Sequence, residues 1–114
     1  MKVENRVKKY SDFQKVLNLG ESIRSSTLTL FFLSNDLNRS RIGISVSKKC
    51  GNAVVRNKIK RQIRAIISLE MDLTKPYDLV FIVRKEFDIN NFSQSRLDIK
   101  SLIEKVGQTS EKDS

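Results

Sequence analysis

Residues 41–69 read RIGISVSKKCGNAVVRNKIKRQIRAIISL, a succession that predicts a strand, a turn and a helix. Apolar side chains alternate with Gly or Ser over 42–47, which is typical of a half-buried strand whose second face is smooth and open. Gly51 and Asn52 interrupt this alternation, and a helix is predicted from about 53 to 69. The stretch therefore indicates a helix that docks on a sheet.

This helix has two different sides. At about 100° per residue, one arc of roughly 120° can dock on the sheet and contains Val55, Ile59, Ile63, Ile66 and Ile67. The adjoining arc carries four cations and an amide: Arg56, Asn57, Lys60, Arg61 and Arg64. Lys48 and Lys49 extend this basic face just before the helix, and the helix N-terminus near Asn52 adds backbone donors. Such a face suits phosphates spaced along a folded RNA.

The net charge of the chain is concentrated in this region. The chain has 22 Lys and Arg against 13 Asp and Glu, a formal net charge of +9. Residues 37–69 contain nine cations and no acid, so the remaining 13 cations balance the 13 acids elsewhere. Like charges at 56, 60 and 64 repel one another at i,i+4 spacing, which favours a polyanionic partner. A solvated helix face is a weaker alternative because no acid in this stretch pairs with the cations. A membrane-surface helix is weaker because the apolar stripe is needed for the core.

Working outward, the remaining pattern predicts a small mixture of strands and helices. Ser11 and Gln14 have capping-box spacing, which predicts a short helix that begins at Ser11 and ends at Gly20. Strands are predicted at 27–34 and 78–84, the latter central because it is apolar on both faces, with a further short strand near 22–24. A last helix is predicted over 92–106 and ends at Gly107. Its core-facing residues are predicted to be Leu97, Leu102, Ile103 and Val106.

The length of 114 residues fits one α+β domain over 1–107, followed by a disordered polar tail over 108–114. No apolar run approaches the ~20 residues of a membrane span, and the N-terminus lacks the apolar segment of a signal peptide. Cys50 is the only cysteine and has no internal disulfide partner. These observations predict a cytoplasmic protein without membrane association, and no obligate protein partner is evident.

The residue inventory argues against a catalytic centre in this chain. There is no His, the commonest general base, and a single Cys excludes a cysteine-rich zinc site. Asp12, Asp78 and Asp88 are isolated in the sequence, which gives no closely spaced carboxylate pair for a two-metal nuclease. Cys50 has basic neighbours but is interpreted as a bystander thiol. No catalytic and no metal-binding residue is therefore predicted.

Residues 45–64 resemble the signature of the bacterial ribonuclease P protein family. The motif core Ala-x-x-Arg-Asn-x-x-Lys-Arg-x-x-Arg is matched by six positions: Ala53, Arg56, Asn57, Lys60, Arg61 and Arg64. The preceding Lys-Lys-x-Gly-Asn also matches, and the resemblance extends over nearly the whole chain except the last ten or so residues. The sequence departs from the family pattern at Leu17, where an aromatic is common, and at Ala65, where Glu is common.

The resemblance implies an αβββαβα domain like the second domain of a small-subunit ribosomal protein, with a left-handed βαβ crossover. It implies that the basic helix and the loop before it bind ribonuclease P RNA. It also implies a cleft for the 5′ leader of precursor tRNA, lined by Phe13, Leu17, Phe31 and Ser45 at the matching positions. The expected activity is assistance to endonucleolytic leader removal, with Mg²⁺ held mainly by the RNA. From the residues alone, core positions for Phe13 and Phe31 are favoured over cleft positions.

Three other functions stay open from the residues alone. A ribosomal or assembly RNA-binding protein shares the same basic character. A stand-alone nuclease would cleave RNA without an RNA subunit, and a DNA-binding module would prefer duplex DNA.

Overall fold

The computed structural model describes the backbone of residues 3–112 and the side chains of residues 4–106. The elements follow one another as α1 (Tyr10–Leu19), β1 (Glu21–Arg24), β2 (Leu28–Ser34), β3 (Arg41–Val46), α2 (Ala53–Glu70), β4 (Tyr77–Val83) and α3 (Phe92–Lys112). Short 3-10 turns occupy Val3–Asn5 and Lys48–Cys50. The predicted α+β class and its αβββαβα order are confirmed.

The four strands form one mixed sheet in the order β1-β2-β4-β3. β2 pairs antiparallel with both β1 and β4, whereas β3 runs parallel to β4. The predicted central position of β4 is therefore confirmed. Because β3 and β4 are parallel neighbours, α2 must cross over between them. The left hand of this crossover stays a prediction.

One face of the sheet carries the hydrophobic core. Alternate residues of β2, β3 and β4 point to this face, where α2 and α3 cover them. The docking stripe of α2 consists of Ile59, Ile63, Ile66 and Ile67, all buried, as the helical spacing predicts. The sheet contributes Leu28, Leu30, Phe32, Ile42, Ile44, Val46, Leu79, Phe81 and Val83.

The opposite face is covered only in part, by α1. On the sheet-facing side of α1, Val16 is fully buried and the ring of Phe13 lies over Gly43. A Cβ at Gly43 would stand 2.8 Å from Cε2 of Phe13, so the absence of a side chain there lets α1 approach the sheet. α1 ends at Gly20 as predicted, where the backbone becomes extended. A Cβ there would come within 2.6 Å of the carbonyl oxygens of Val16 and Phe32, so the close approach requires Gly.

Three sequence-based expectations about the helices are wrong. Ser11 is not the cap of α1: the helix begins at Tyr10, and Lys9 precedes it without a side-chain hydrogen bond. α3 does not end at Gly107, since its backbone stays helical to Lys112. Leu97 is 62% exposed because it lies on the opposite side of α3 from Leu102 and Val106, which are buried as predicted together with Ile99.

The division into a domain over 1–107 and a tail over 108–114 stays a prediction, and residues 113–114 lie outside the described part of the chain. Within that part, no helix combines the length and apolar character that crossing a membrane requires.

Candidate nucleic-acid interface

The polar side of α2 carries the five residues predicted to bind RNA, and they form two rows. Arg56, Lys60 and Arg64 succeed one another at one-turn spacing and are half-buried beside the docking stripe. Asn57 and Arg61 lie farther out and are exposed. We call these the inner row and the outer row of the basic face. The structure thus brings all five predicted α2 residues to one side of the helix.

The basic face has no acidic partner within the part of the chain that the structure describes. The ion pairs found there belong to Arg41, Arg84 and Arg96, and none involves α2 cations. In the inner row, Nε of Arg56 and Nε of Arg64 are buried and have no hydrogen-bond partner. A buried donor without an acceptor costs free energy, so these atoms favour an anion that the protein does not supply.

The electrostatics of Arg64 support this interpretation. Burial lowers the pKa of the Arg64 guanidinium, and the nearby positive charge of Arg6 lowers it further. Both effects penalise the charged form of the side chain. An anion between the two guanidinium groups would reverse the second effect.

The loop before α2 has a defined structure that holds its cations in solvent. Lys48 and Lys49 are exposed in the 3-10 turn, as predicted. Gly51 has a φ of 141° and packs on Val55, where a Cβ would come within 2.9 Å of Cγ1. Asn52, predicted to face RNA, caps α2: its Oδ1 accepts a hydrogen bond from the Val55 N–H at 3.0 Å.

A cleft of about 490 Å³ opens on the other face of the sheet, beside α1. Three of the four predicted cleft residues line it together, namely Phe13, Leu17 and Ser45. The other lining residues are Val7, Lys8, Lys9, Tyr10, Gln14 and Ile82. The cleft thus combines apolar walls with cations at one end.

Phe31 is not among the residues that line this cavity, and its contact with the leader stays a prediction. Phe31 is half-buried on the same sheet face, but its neighbours across the strands are Val80 and then Gly43, the row that α1 covers. The cleft opens over the next row, where Ile82 lies beside Ser45. Phe31 therefore lies two residues along its strand from the row that contains Ile82 and Ser45.

Sequence reasoning missed three exposed residues at the cleft. Lys8, Lys9 and Tyr10 precede or begin α1, and Tyr10 is 77% exposed. Two consecutive cations followed by an aromatic were a usable signal, since cations and aromatic rings together bind single-stranded nucleic acid.

Asp12 and Asp78 are not isolated in the fold. Both carboxylates contact Arg41, and the hydrogen bonds that Arg41 donates to Asp78 raise the pKa of that guanidinium. Two acids that neutralise an arginine are poorly suited to hold a metal ion. Among the described residues, no group of three or more His, Cys, Asp or Glu side chains could do so.

The sequence model of the family described as Ribonuclease P matches residues 1–107. The chain belongs to the ribonuclease P protein family. The ribonuclease P protein component of Bacillus velezensis is 41% identical over 107 residues, covering 93% of this chain and 92% of the relative. That of Mesoplasma florum is 39% identical over 105 residues, covering 90% and 96%.

Solved structures of ribonuclease P proteins share the fold. The Staphylococcus aureus protein superposes with a TM-score of 0.71 at 34% identity, covering 93% of this chain and 94% of that one. The Thermotoga maritima protein gives a TM-score of 0.68 at 29% identity, covering 84% and 96%. Membership of the ribonuclease P protein family makes this chain a component of an RNA-processing enzyme, and implies a partner RNA subunit and a role in tRNA 5′ processing.

Proposed function

We propose that the basic face of α2 binds the catalytic RNA of ribonuclease P while the cleft beside α1 holds the 5′ leader of precursor tRNA. The observation that carries the proposal is the inner row of α2, with two buried Nε donors that lack an acceptor. An RNA phosphate supplies both the missing acceptor and the missing negative charge.

The basic face suits a folded RNA better than a single small anion. Its cations extend over three turns of α2, and Lys48 and Lys49 prolong it at the N-terminal end. Arginine forms bidentate bonds to phosphate, whereas lysine contributes mobile charge. Because the face lies on the opposite side of the sheet from the cleft, the protein can contact two RNAs at once.

The cleft suits a single strand. A duplex is too broad for a space of about 490 Å³, whereas one strand could lay a base against Phe13 and its phosphates near Lys8 and Lys9. Stacking of a base on an aromatic ring contributes ~1–3 kcal/mol with little dependence on base identity. This tolerance fits leaders of different sequence.

In this proposal the RNA subunit contains the active site, and the protein assists. Binding of cations to phosphates offsets the repulsion within the folded RNA and favours the assembled complex. Contact with the leader favours precursor over mature tRNA. The Mg²⁺ ions needed for cleavage would be held mainly by RNA phosphates, and the cytoplasmic location stays a prediction.

The test is reconstitution of the holoenzyme from this protein and its cognate ribonuclease P RNA. We expect the protein to increase precursor cleavage at low Mg²⁺, and Arg61→Ala to reduce its affinity for the RNA. No gain in cleavage would refute the proposal and favour a different RNA-binding role. Cleavage by the protein without RNA, abolished by EDTA, would instead indicate a nuclease.

A second measurement tests the cleft with a matched pair of substitutions. Phe13→Leu should weaken binding of leader-bearing tRNA by about 5- to 20-fold, with little effect on mature tRNA. Phe92→Leu, at the start of α3 and outside the cleft, should leave the ratio of the two affinities unchanged. Equal losses for both tRNAs with Phe13→Leu would refute the assignment.

A further inference from the structure

The chain segment before α1 lies along the free edge of β3. Arg6 forms a parallel bridge with Ile42, and the N–H of Val7 donates to the carbonyl oxygen of Ile42 at 3.0 Å. Asn5, the residue before Arg6, also fixes the segment, since its Nδ2 donates a hydrogen bond to the carbonyl oxygen of Ser40 at 2.8 Å. The backbone around Arg6 is therefore fixed relative to the sheet.

Neighbouring residues of this segment face opposite sides of the sheet. Val7 is on the cleft side, where its Cβ lies 3.5 Å from the position that a Cβ would occupy at Gly43. Because extended residues alternate, Arg6 points to the other side, where α2 packs on β3. The effect of its charge on the Arg64 guanidinium agrees with this placement.

Arg6 and Arg64 thus form a pair of like charges at the edge of the basic face. Arg6 is exposed, Arg64 is half-buried, and neither has an ion pair within the described chain. The buried Nε of Arg64 has no acceptor either. The repulsion between these two positive charges disfavours the free protein, and an anion bound between them would relieve it.

We propose that Arg6 and Arg64 form one binding site for an RNA phosphodiester, which extends the inner row of α2 across the edge of β3. This inference rests on the proposed RNA-binding role of α2 and adds a residue from outside that helix. A phosphate there accepts from both guanidinium groups and relieves their repulsion. Residues 6–9 then reach both surfaces, because Val7, Lys8 and Lys9 line the cleft.

The test is a double-mutant cycle on affinity for the ribonuclease P RNA, with Arg6→Ala, Arg64→Ala and the double variant. Since one phosphate needs both side chains, we expect each single change to weaken binding by about 5- to 20-fold. The double variant should lose at least about fivefold less than the product of the two single losses. Each single change should also flatten the dependence of affinity on salt by roughly one phosphate contact.

Two control variants separate this inference from the proposed function. Lys58 is an exposed cation on the opposite flank of α2, so Lys58→Ala should show no coupling with Arg6→Ala. Arg61→Ala reports on the outer row alone. If Arg61→Ala weakens RNA binding but Arg6→Ala does not, or the Arg6 and Arg64 losses simply multiply, the shared site is refuted while RNA binding by α2 stands. If none of these α2 variants weakens binding, the proposed function itself fails.

The phosphodiester could belong to the RNA subunit or to the substrate. The same cycle is therefore repeated on the affinity of the assembled holoenzyme for precursor tRNA. Coupling between Arg6 and Arg64 in the first measurement assigns the phosphate to the RNA subunit, and coupling only in the second assigns it to precursor tRNA. Absence of coupling in both overturns the site.

Discussion

Arg41 and Asp78 form a two-pronged ion pair between neighbouring strands, with Nε to Oδ1 at 2.9 Å and Nη2 to Oδ2 at 2.6 Å. Nη1 of Arg41 also reaches Oδ2 of Asp12 on α1 at 3.3 Å. The carboxylate of Asp78 also accepts a hydrogen bond from Asn35, whose Nδ2 lies 2.8 Å from Oδ1 of Asp78. The guanidinium therefore ties α1, one wall of the cleft, to the sheet beneath it.

Asp78→Asn should destabilise the protein by about 3 kcal/mol, because it leaves a largely buried arginine without its main counter-charge. Asp12→Asn is the matched control: its carboxylate is more exposed and contacts Arg41 once, so a loss below about 1 kcal/mol is expected. Urea unfolding measures both free energies. Equal losses from the two variants would contradict the central role of Asp78.

Gly43→Ala should push the ring of Phe13 away from the sheet, since the new Cβ would lie 2.8 Å from Cε2. We expect a loss of about 1–3 kcal/mol in the free energy of unfolding. The same displacement should weaken binding of leader-bearing tRNA.

The control for Gly43→Ala is its combination with Phe13→Ala, which removes the clashing ring. The double variant should be less destabilised than the two single losses predict when added. Strict additivity would show that the methyl group and the ring do not meet.

The strands and α2 could be predicted from the sequence because their patterns are local. The isoleucines of α2 recur at helical spacing, and the apolar residues of β2 and β3 alternate, so each element shows its buried face without its partners. The basic face of α2 could be predicted from the same helical spacing, since the cations occupy the side of the helix that does not pack on the core.

The cleft could be predicted only in part, because its outline depends on where α1 crosses the sheet. Nothing local in residues 28–34 shows which row of the sheet α1 crosses, since Phe31 shares a row with Val80 and Gly43 while Ile82 and Ser45 occupy the next one. The pairing of Arg41 with two distant acids is likewise a tertiary contact, invisible to a search for carboxylates close together in sequence.

Arg64→Met should make the RNA-free protein more stable while it weakens RNA binding. Folding lowers the pKa of Arg64, which means that the folded state disfavours the charged guanidinium. Because arginine is fully charged at neutral pH, this loss of folding free energy is fully present there. Met keeps an unbranched stem for packing and removes the charge. Solvent screening keeps the effect small, and we expect Tm to rise by about 1–3 °C.

Two dependences check the cause of this stabilisation. The gain from Arg64→Met should be constant between about pH 5 and 9, because arginine stays protonated throughout this range. It should shrink in high salt, which screens the repulsion from Arg6. A fall in Tm at all salt concentrations would show that the Arg64 side chain stabilises the free protein.

Leu17→Phe should strengthen binding of leader-bearing tRNA, because it adds an aromatic face to the wall of the cleft that Phe13 and Tyr10 already line. Stacking of one more base would increase affinity by about 5- to 50-fold, with no change for mature tRNA. Leu19→Phe is the matched control, since Leu19 is 67% exposed on the same helix but does not line the cleft. If both variants raise affinity equally, or Leu17→Phe leaves it unchanged, the strand does not pass over Leu17 and the path of the leader must run closer to Tyr10.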